Sequence, residues 1–225
     1  MKVGDCLKAI DGELISGPIN RVFRGVSIDS RTLKENELFI CIRGDRFDGH
    51  NFIKEVKNKK PSAVIISDTS KLTLKDDNSP SIIRVSDTLK ALQELARFYR
   101  EQFSIKVVGV TGTNGKSTTK EMIASISATK FKTLKTQGNL NNHIGLPLNL
   151  FRLSQSDEVA VIEMGMSAAG EIKRLAEIAQ PEIGVLTNIT EGHLIHLKTL
   201  KNLQAAKGEL YDALSKQGTA IVNAD

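Results

Sequence analysis

Residues 107–120, reading VVGVTGTNGKSTTK, constrain the fold more than any other stretch of the chain. An apolar, β-branched run breaks at a glycine-rich turn and continues into a lysine, hydroxyl residues and a helix-like segment. A strand, a tight turn and a helix N-terminus in that order make a phosphate cradle. Glycine lets backbone N–H groups approach phosphate oxygens, and the helix dipole adds positive potential at the same place. Lys116 would supply a mobile cation and Ser117 a hydroxyl able to hold Mg²⁺. The general pattern puts four residues between its two glycines. Here the outer position is Val110, and the available upstream glycines are Gly109 and Gly112. The loop is therefore a variant. The bland alternative is a glycine-rich turn without phosphate, and the Lys-Ser pair after a strand argues against it.

From Lys106 onward, strand and helix patterns alternate. Strands are predicted at 106–110, 132–135, 159–163, 183–187 and 220–222, and helices at 116–128, around Pro147, and at 169–179 and 200–214. Repeated strand–helix units imply a largely parallel, doubly wound sheet with its ligand site at the C-terminal ends of the strands. The first part of the chain reads as a smaller mixed α/β domain. It has a helix at 3–10, strands at 22–28, 38–42, 63–66 and 81–85, helical spacing at 51–59 and a polar loop at 71–80. Asp87 is a candidate N-cap for a helix over 87–103, where Leu89, Leu92, Leu95, Ala96 and Tyr99 recur at helical spacing. The division read from this is 1–86 for an N-terminal domain, 87–105 for a connecting helix and 106–225 for a partial P-loop ATPase sheet. A parallel sheet seldom finishes on its newest strand without a covering element, so the sequence reads as a piece of a longer protein.

Composition excludes some classes. Aromatic residues make up only 4% and Trp is absent, leaving little surface on which nucleic-acid bases could stack. The formal net charge of +5 is spread along the chain, which describes a solvated surface rather than a polyanion-binding stripe. Cys6 and Cys41 form neither a disulfide framework nor a metal motif and read as buried thiols. The N-terminus has no signal-peptide core, and no run approaches the ~18 apolar residues of a membrane span. No membrane insertion and a reducing cytoplasm are the expectations.

Polar residues fall at several predicted strand ends. Glu163 closes the strand at 159–163, where a carboxylate beside a phosphate loop suits Mg²⁺, directly or through water. The alternative is a solvent-facing acid. His193, in TNITEGH, follows the next strand. Lys207, in AAKGEL, reads by itself as a snorkelling surface lysine. The loop TQGNLNNH at 136–143 carries Asn139, Asn141 and Asn142, either as ligand contacts or as a turn-rich surface loop. In the first part, SIDSR (27–31) and GDRFDGHN (44–51) put arginines beside hydroxyls and glycines, which suits a diphosphate and equally suits ordinary turns.

Together, TGTNGKST, GNLNNHIGLPLNL, IEMGM, TNITEGHL and AAKGEL resemble the Mur ligases of peptidoglycan synthesis, through nearly the whole chain and in the family's order. Among them the chain is most similar to the dipeptide-adding member, and DSR followed by GDRFDGHNFI resembles that enzyme's N-terminal domain. The closest confusion is the member that adds the third peptide residue. The resemblance implies an ATP-dependent ligase, monomeric, that joins D-Ala-D-Ala to UDP-N-acetylmuramoyl-tripeptide through an acyl phosphate. It implies that Gly112, Thr113, Asn114, Gly115, Lys116, Ser117 and Thr118 hold the ATP phosphates, with Lys116 on the transferring group. It assigns Ser117 and Glu163 to Mg²⁺ and His193 to a second Mg²⁺ site. It makes Lys207 a carbamylated lysine, reversing the surface reading. Asp29, Ser30, Arg31 and Arg46 would contact the UDP-sugar, and Asn139, Asn141 and Asn142 would face the central cleft. Two other classes compete: another P-loop enzyme and a non-catalytic binder of the UDP-sugar-peptide. A GTPase should show an Asn-Lys-x-Asp motif, and none is present. A kinase leaves the asparagine loop and the DSR and GDRFDGH pair unexplained.

Overall fold

The computed structural model describes residues 1–44, 47–72, 79–190 and 199–224. The chain divides into two compact units, Met1–Phe98 and Tyr99–Asp225.

In the first unit, helix α1 (Val3–Ile10) precedes strands β1 (Glu13–Ser16), β2 (Val26–Ser27) and β3 (Leu38–Ile40). A 3₁₀ turn (Gly49–Phe52) then leads into α2 (Ile53–Asn58), followed by β4 (Ala63–Ile66) and β5 (Ser81–Arg84). The sheet order is β1-β5-β4-β3-β2. β2 to β5 are parallel, with Leu38 opposite Ala63 and Ala63 opposite Ser81, while β1 runs antiparallel on β5. One sheet face, formed by Phe39, Cys41, Val64, Ile66 and Ile82, packs with Ile53 and Val56 of α2. The alternation of side chains along each strand puts these residues on one side. Both cysteines are free and buried.

The sequence pattern missed β1, because ELIS has only two apolar residues and becomes a strand by pairing with β5. It overextended β2: Val22 makes only an isolated bridge to Lys2. The helical segment predicted from residue 51 is a 3₁₀ turn first, capped where the Asp48 carboxylate accepts from the His50 N–H. Helix α3 (Thr88–Arg100) starts as expected, with Asp87 Oδ1 accepting the N–H groups of Leu89 and Lys90 at 2.8 and 3.0 Å.

The second unit contains β6 (Lys106–Thr111), α4 (Lys116–Ser127), β7 (Thr133–Lys135), α5 (Gly145–Leu150), β8 (Val159–Glu163) and α6 (Glu171–Ala179). It ends with β9 (Ile183–Leu186), α7 (Leu200–Asp212) and β10 (Thr219–Val222). The sheet order is β10-β9-β6-β8-β7, and every pair is parallel. Fully parallel sheets need both faces covered. Here Val108, Val110, Val159, Val161 and Val185 pack with Ile123 and Ala124 of α4. On the opposite face, a Cβ at Gly109 would lie 3.1 Å from Leu210 of α7, and one at Gly184 would lie 3.2 Å from the same side chain. Gly109, inside β6, therefore serves close packing on the sheet rather than the turn of the loop. β6 is central, and the chain leaves it toward β7 on one side and returns to β9 on the other. Such a reversal opens a crevice at the strand C-terminal ends.

Candidate functional site

The loop after β6 is shaped by two glycines. Gly112 has φ +147°, and a Cβ there would sit 2.0 Å from Thr187 Oγ1. Gly115 has φ +77° and caps α4 without any side-chain hydrogen bond. Among the described residues, the N–H groups of Gly115, Lys116, Ser117 and Thr118 have no protein partner; the first N–H bonded back is that of Thr119, to Gly115 O. These four donors stand together at the positive end of a helix, an arrangement that suits an anion. Two N–H groups earlier in the loop have protein acceptors. The Thr113 N–H donates to Asn188 O at 2.9 Å and the Asn114 N–H to Asn188 Oδ1 at 3.0 Å. Thr187 Oγ1 and Asn188 Nδ2 both donate to Asn114 O, at 2.6 and 3.1 Å. The segment after β9 is thus a clasp that sets the shape of the loop. The sequence shows TNIT as polar residues past a strand and part of a family motif, without its contact to the loop.

Two ammonium groups converge on one carbonyl. Lys116 Nζ donates to Gly112 O at 3.0 Å and to Thr113 O at 2.9 Å, and Lys207 Nζ donates to Gly112 O at 2.8 Å. Lys207 is 2% exposed, so the surface reading of this residue is wrong: α7 lies against the sheet and turns Lys207 inward. Burial, reinforced by the charge of Lys116, pulls its pKa down to about 8.

Glu163, also 2% exposed, ends β8 beside the loop. Its Oε2 accepts from Ser117 Oγ at 2.9 Å and its Oε1 from Asn141 Nδ2 at 2.8 Å. Its own N–H donates to Thr136 Oγ1 at 2.9 Å. The described residues supply this buried carboxylate with neutral donors and no ion pair. A buried charge in that state favours a cation. Carboxylate and hydroxyl oxygens are the hard ligands that Mg²⁺ prefers. No group of three or more His, Cys, Asp or Glu residues gathers among the described residues. Lys207 lies on the Gly112 carbonyl rather than on Glu163.

Of the three candidate asparagines, Asn141 reaches the carboxylate. Asn142 turns the chain into α5, its Oδ1 accepting from Ile144 N at 3.1 Å and Gly145 N at 2.8 Å. Asn139 is exposed, and its carbonyl accepts the Asn141 N–H at 2.8 Å. Thr136, which no residue pattern singled out, anchors the start of this loop. A cleft between α6 and α7, lined by Arg100, Lys173, Glu177, Glu182 and Asp212 among others, shares no residue with the loop.

In the first unit, Arg31 makes a paired contact with Asp29, Nε to Oδ1 at 2.9 Å and Nη2 to Oδ2 at 2.7 Å. That hydrogen-bonded guanidinium holds the Asp29 carboxyl down at about 2. Ser30 between them is buried. Lys59 Nζ donates to Arg31 O at 2.9 Å, adding a second cation to this turn. Arg46 and His193 lie outside the described residues.

No helix among the described residues is long and apolar enough to cross a membrane. Comparison with known proteins agrees with the geometry. Residues 110–225 match the Mur ligase middle domain, and residues 22–100 match the Mur ligase family catalytic domain. The chain is 41% identical over 204 residues to the UDP-N-acetylmuramoyl-tripeptide--D-alanyl-D-alanine ligase of Bacillus subtilis, covering 91% of this chain and 44% of that relative. It superposes on MurF from Acinetobacter baumannii with a TM-score of 0.91 and 33% identity, over 100% of this chain and 49% of that one. MurF from Thermotoga maritima, solved in complex with ADP, gives a TM-score of 0.82 and 34% identity, over 90% of this chain and 46% of that one. The chain thus spans somewhat under half the length of the relatives it matches. With a middle-domain match over more than half its length, the chain belongs to the Mur ligase family.

Proposed function

We propose that this chain is the nucleotide-binding part of an ATP-dependent ligase that joins D-Ala-D-Ala to UDP-N-acetylmuramoyl-tripeptide. The observation that carries the reading is the juxtaposition at the end of β6. Four unpartnered N–H groups at the start of α4 stand beside a Ser117–Glu163 pair and two convergent lysines. The names of the relatives supply the substrates. A carboxylate is a poor acyl donor. Transfer of the ATP γ-phosphoryl group to the terminal carboxylate of the tripeptide converts an oxygen into a leaving group and releases ADP. The dipeptide amine then attacks the acyl carbon, the phosphate departs and the nitrogen loses a proton. Such chemistry needs positioning and charge neutralisation more than a protein nucleophile.

Each residue has a defined part in this reading. The N–H groups of Gly115–Thr118 bind phosphate oxygens, and Lys116 moves from the loop carbonyls onto the transferring group. Ser117 and Glu163 would hold Mg²⁺, which when bound neutralises charge on the phosphates. Lys207, buried and with its pKa near 8, has a substantial neutral-amine fraction at neutral to mildly alkaline pH. A neutral amine adds CO₂, forming an N–C bond with loss of a proton and giving an anionic carbamate that could serve as a further oxygen ligand. His193 at a second Mg²⁺ site and Arg46 with Asp29, Ser30 and Arg31 on the UDP-sugar complete the assignment. A cytoplasmic monomer goes with it, since the free thiols Cys6 and Cys41 suit a reducing compartment.

Isothermal titration tests the reading. Mg-ATP and the UDP-linked tripeptide should each bind the 225-residue chain, with no phosphate release, because the chain spans under half the length of the relatives named as ligases. Binding of the UDP-linked peptide alone would support a non-catalytic binder instead. Phosphate release that depends on both the tripeptide substrate and D-Ala-D-Ala would overturn the expectation of no turnover.

A further inference from the structure

Among the described residues, the mechanism above leaves two buried cations unused, Arg100 and Lys120, and only Lys120 reaches toward Glu163. Lys120, on α4, is 3% exposed. Its Nζ donates to Thr136 O at 3.0 Å and lies 2.9 Å from Glu121 Oε1. Burying an ammonium is costly unless it is hydrogen-bonded, and a methionine would fill the same space without that cost. What the ammonium adds is its grip on Thr136, beside an ion pair with the exposed Glu121.

Thr136 is the residue at which β7 passes into the asparagine loop. Its N–H donates to Val161 O at 3.0 Å, and its hydroxyl accepts the Glu163 N–H at 2.9 Å. The following residue is pinned as well, Gln137 N–H donating to Asn149 Oδ1 at 3.2 Å. Helix α4 therefore reaches the surroundings of Glu163 twice. Ser117 touches the carboxylate directly. Lys120, three residues on, holds the backbone of Thr136, which starts the loop bearing Asn141 and whose hydroxyl holds the Glu163 N–H.

We propose that Lys120 is a positioning residue: through Thr136 it fixes the backbone of Glu163 and the start of the loop bearing Asn141, so that the carboxylate is held ready for a divalent cation. The proposal rests on the Mg-ATP reading for its purpose, and its geometry can be tested without nucleotide.

The variants are Lys120→Met, Lys120→Arg and Thr136→Val in the 225-residue chain. Amide hydrogen exchange without ligand is the first readout. Lys120→Met and Thr136→Val should speed exchange about tenfold at Glu163 and across residues 136–141, and Lys120→Arg should stay near wild type. The Mg²⁺ concentration needed for half-maximal ATP binding, by calorimetry, is the second. It should rise about tenfold in Lys120→Met and Thr136→Val, as for other groups that orient a metal ligand, with metal-free ATP affinity unchanged. A folded Lys120→Met with wild-type exchange at those amides, or with an unchanged Mg²⁺ requirement, overturns the proposal. If Lys120→Met does not fold, Thr136→Val and Lys120→Arg decide the same question. If wild type binds no Mg-ATP, the nucleotide reading fails while the exchange data still decide whether Lys120 positions Glu163.

Discussion

Lys207 has an ammonium 2.8 Å from the Gly112 carbonyl, and it is almost wholly enclosed. An unfolded lysine keeps its proton to about pH 10.4. The folded chain releases this one near pH 8, because burial and Lys116 disfavour the charge. Between those values the unfolded state binds more protons, so folding stability rises with pH. Below about pH 8 both states are protonated and the cost of the buried charge is fully present. Urea denaturation from pH 7.5 to 10.5 should show wild type gaining stability relative to Lys207→Met as pH rises. Parallel profiles for the two proteins would contradict the assignment. AAKGEL alone could not reveal this, since a lysine in an Ala/Leu-rich helix snorkels unless the fold turns that face inward. Glu163 was legible as a strand-end acid in a parallel sheet. Its partners Thr136 and Asn141 come from 27 and 22 residues away, beyond any local pattern.

At the level of the element, the β6–loop–α4 unit combines two different demands for glycine. Gly115 needs its positive φ but has open space around it, and Gly112 has both a positive φ and Thr187 Oγ1 in the way. Gly115→Ala should cost about 1–2 kcal/mol, the ordinary penalty for a left-handed L-residue. Gly112→Ala should cost clearly more and also disturb the clasp on Asn114. Chemical denaturation of both variants is the check, and equal losses would show that the contact with Thr187 carries no energy. The strand–turn–helix order was readable from residues 107–120, because β-branched runs, glycine and a lysine-hydroxyl start each act locally. The clasp of Thr187, Asn188 and Thr190 on the loop was not, because it joins residues more than 70 positions apart.

The whole molecule consists of two units, each with its own five-stranded sheet and core. A ligand that binds one unit should stabilise that unit first. Residue-resolved hydrogen exchange with Mg-ADP at about 100 times its dissociation constant should raise the opening free energy within 99–225 by up to ~2.7 kcal/mol and leave the strands of 1–98 near their ligand-free values. An equal rise in both would mean that the units open together.

The sequence by itself determined the alternation of strands and helices, the parallel class of the second sheet, the phosphate loop and the family. These follow from local periodicity, glycine placement and contiguous motifs. Only the tertiary structure decided that Lys207 is buried on the loop carbonyl and that Asn141, rather than Asn139 or Asn142, meets Glu163. It alone showed that Gly109 packs closely against Leu210, Met164 and Pro181 and that Lys120 grips Thr136. Such contacts depend on which faces the sheet order brings together, and the parallel crossovers set that order across long stretches of chain.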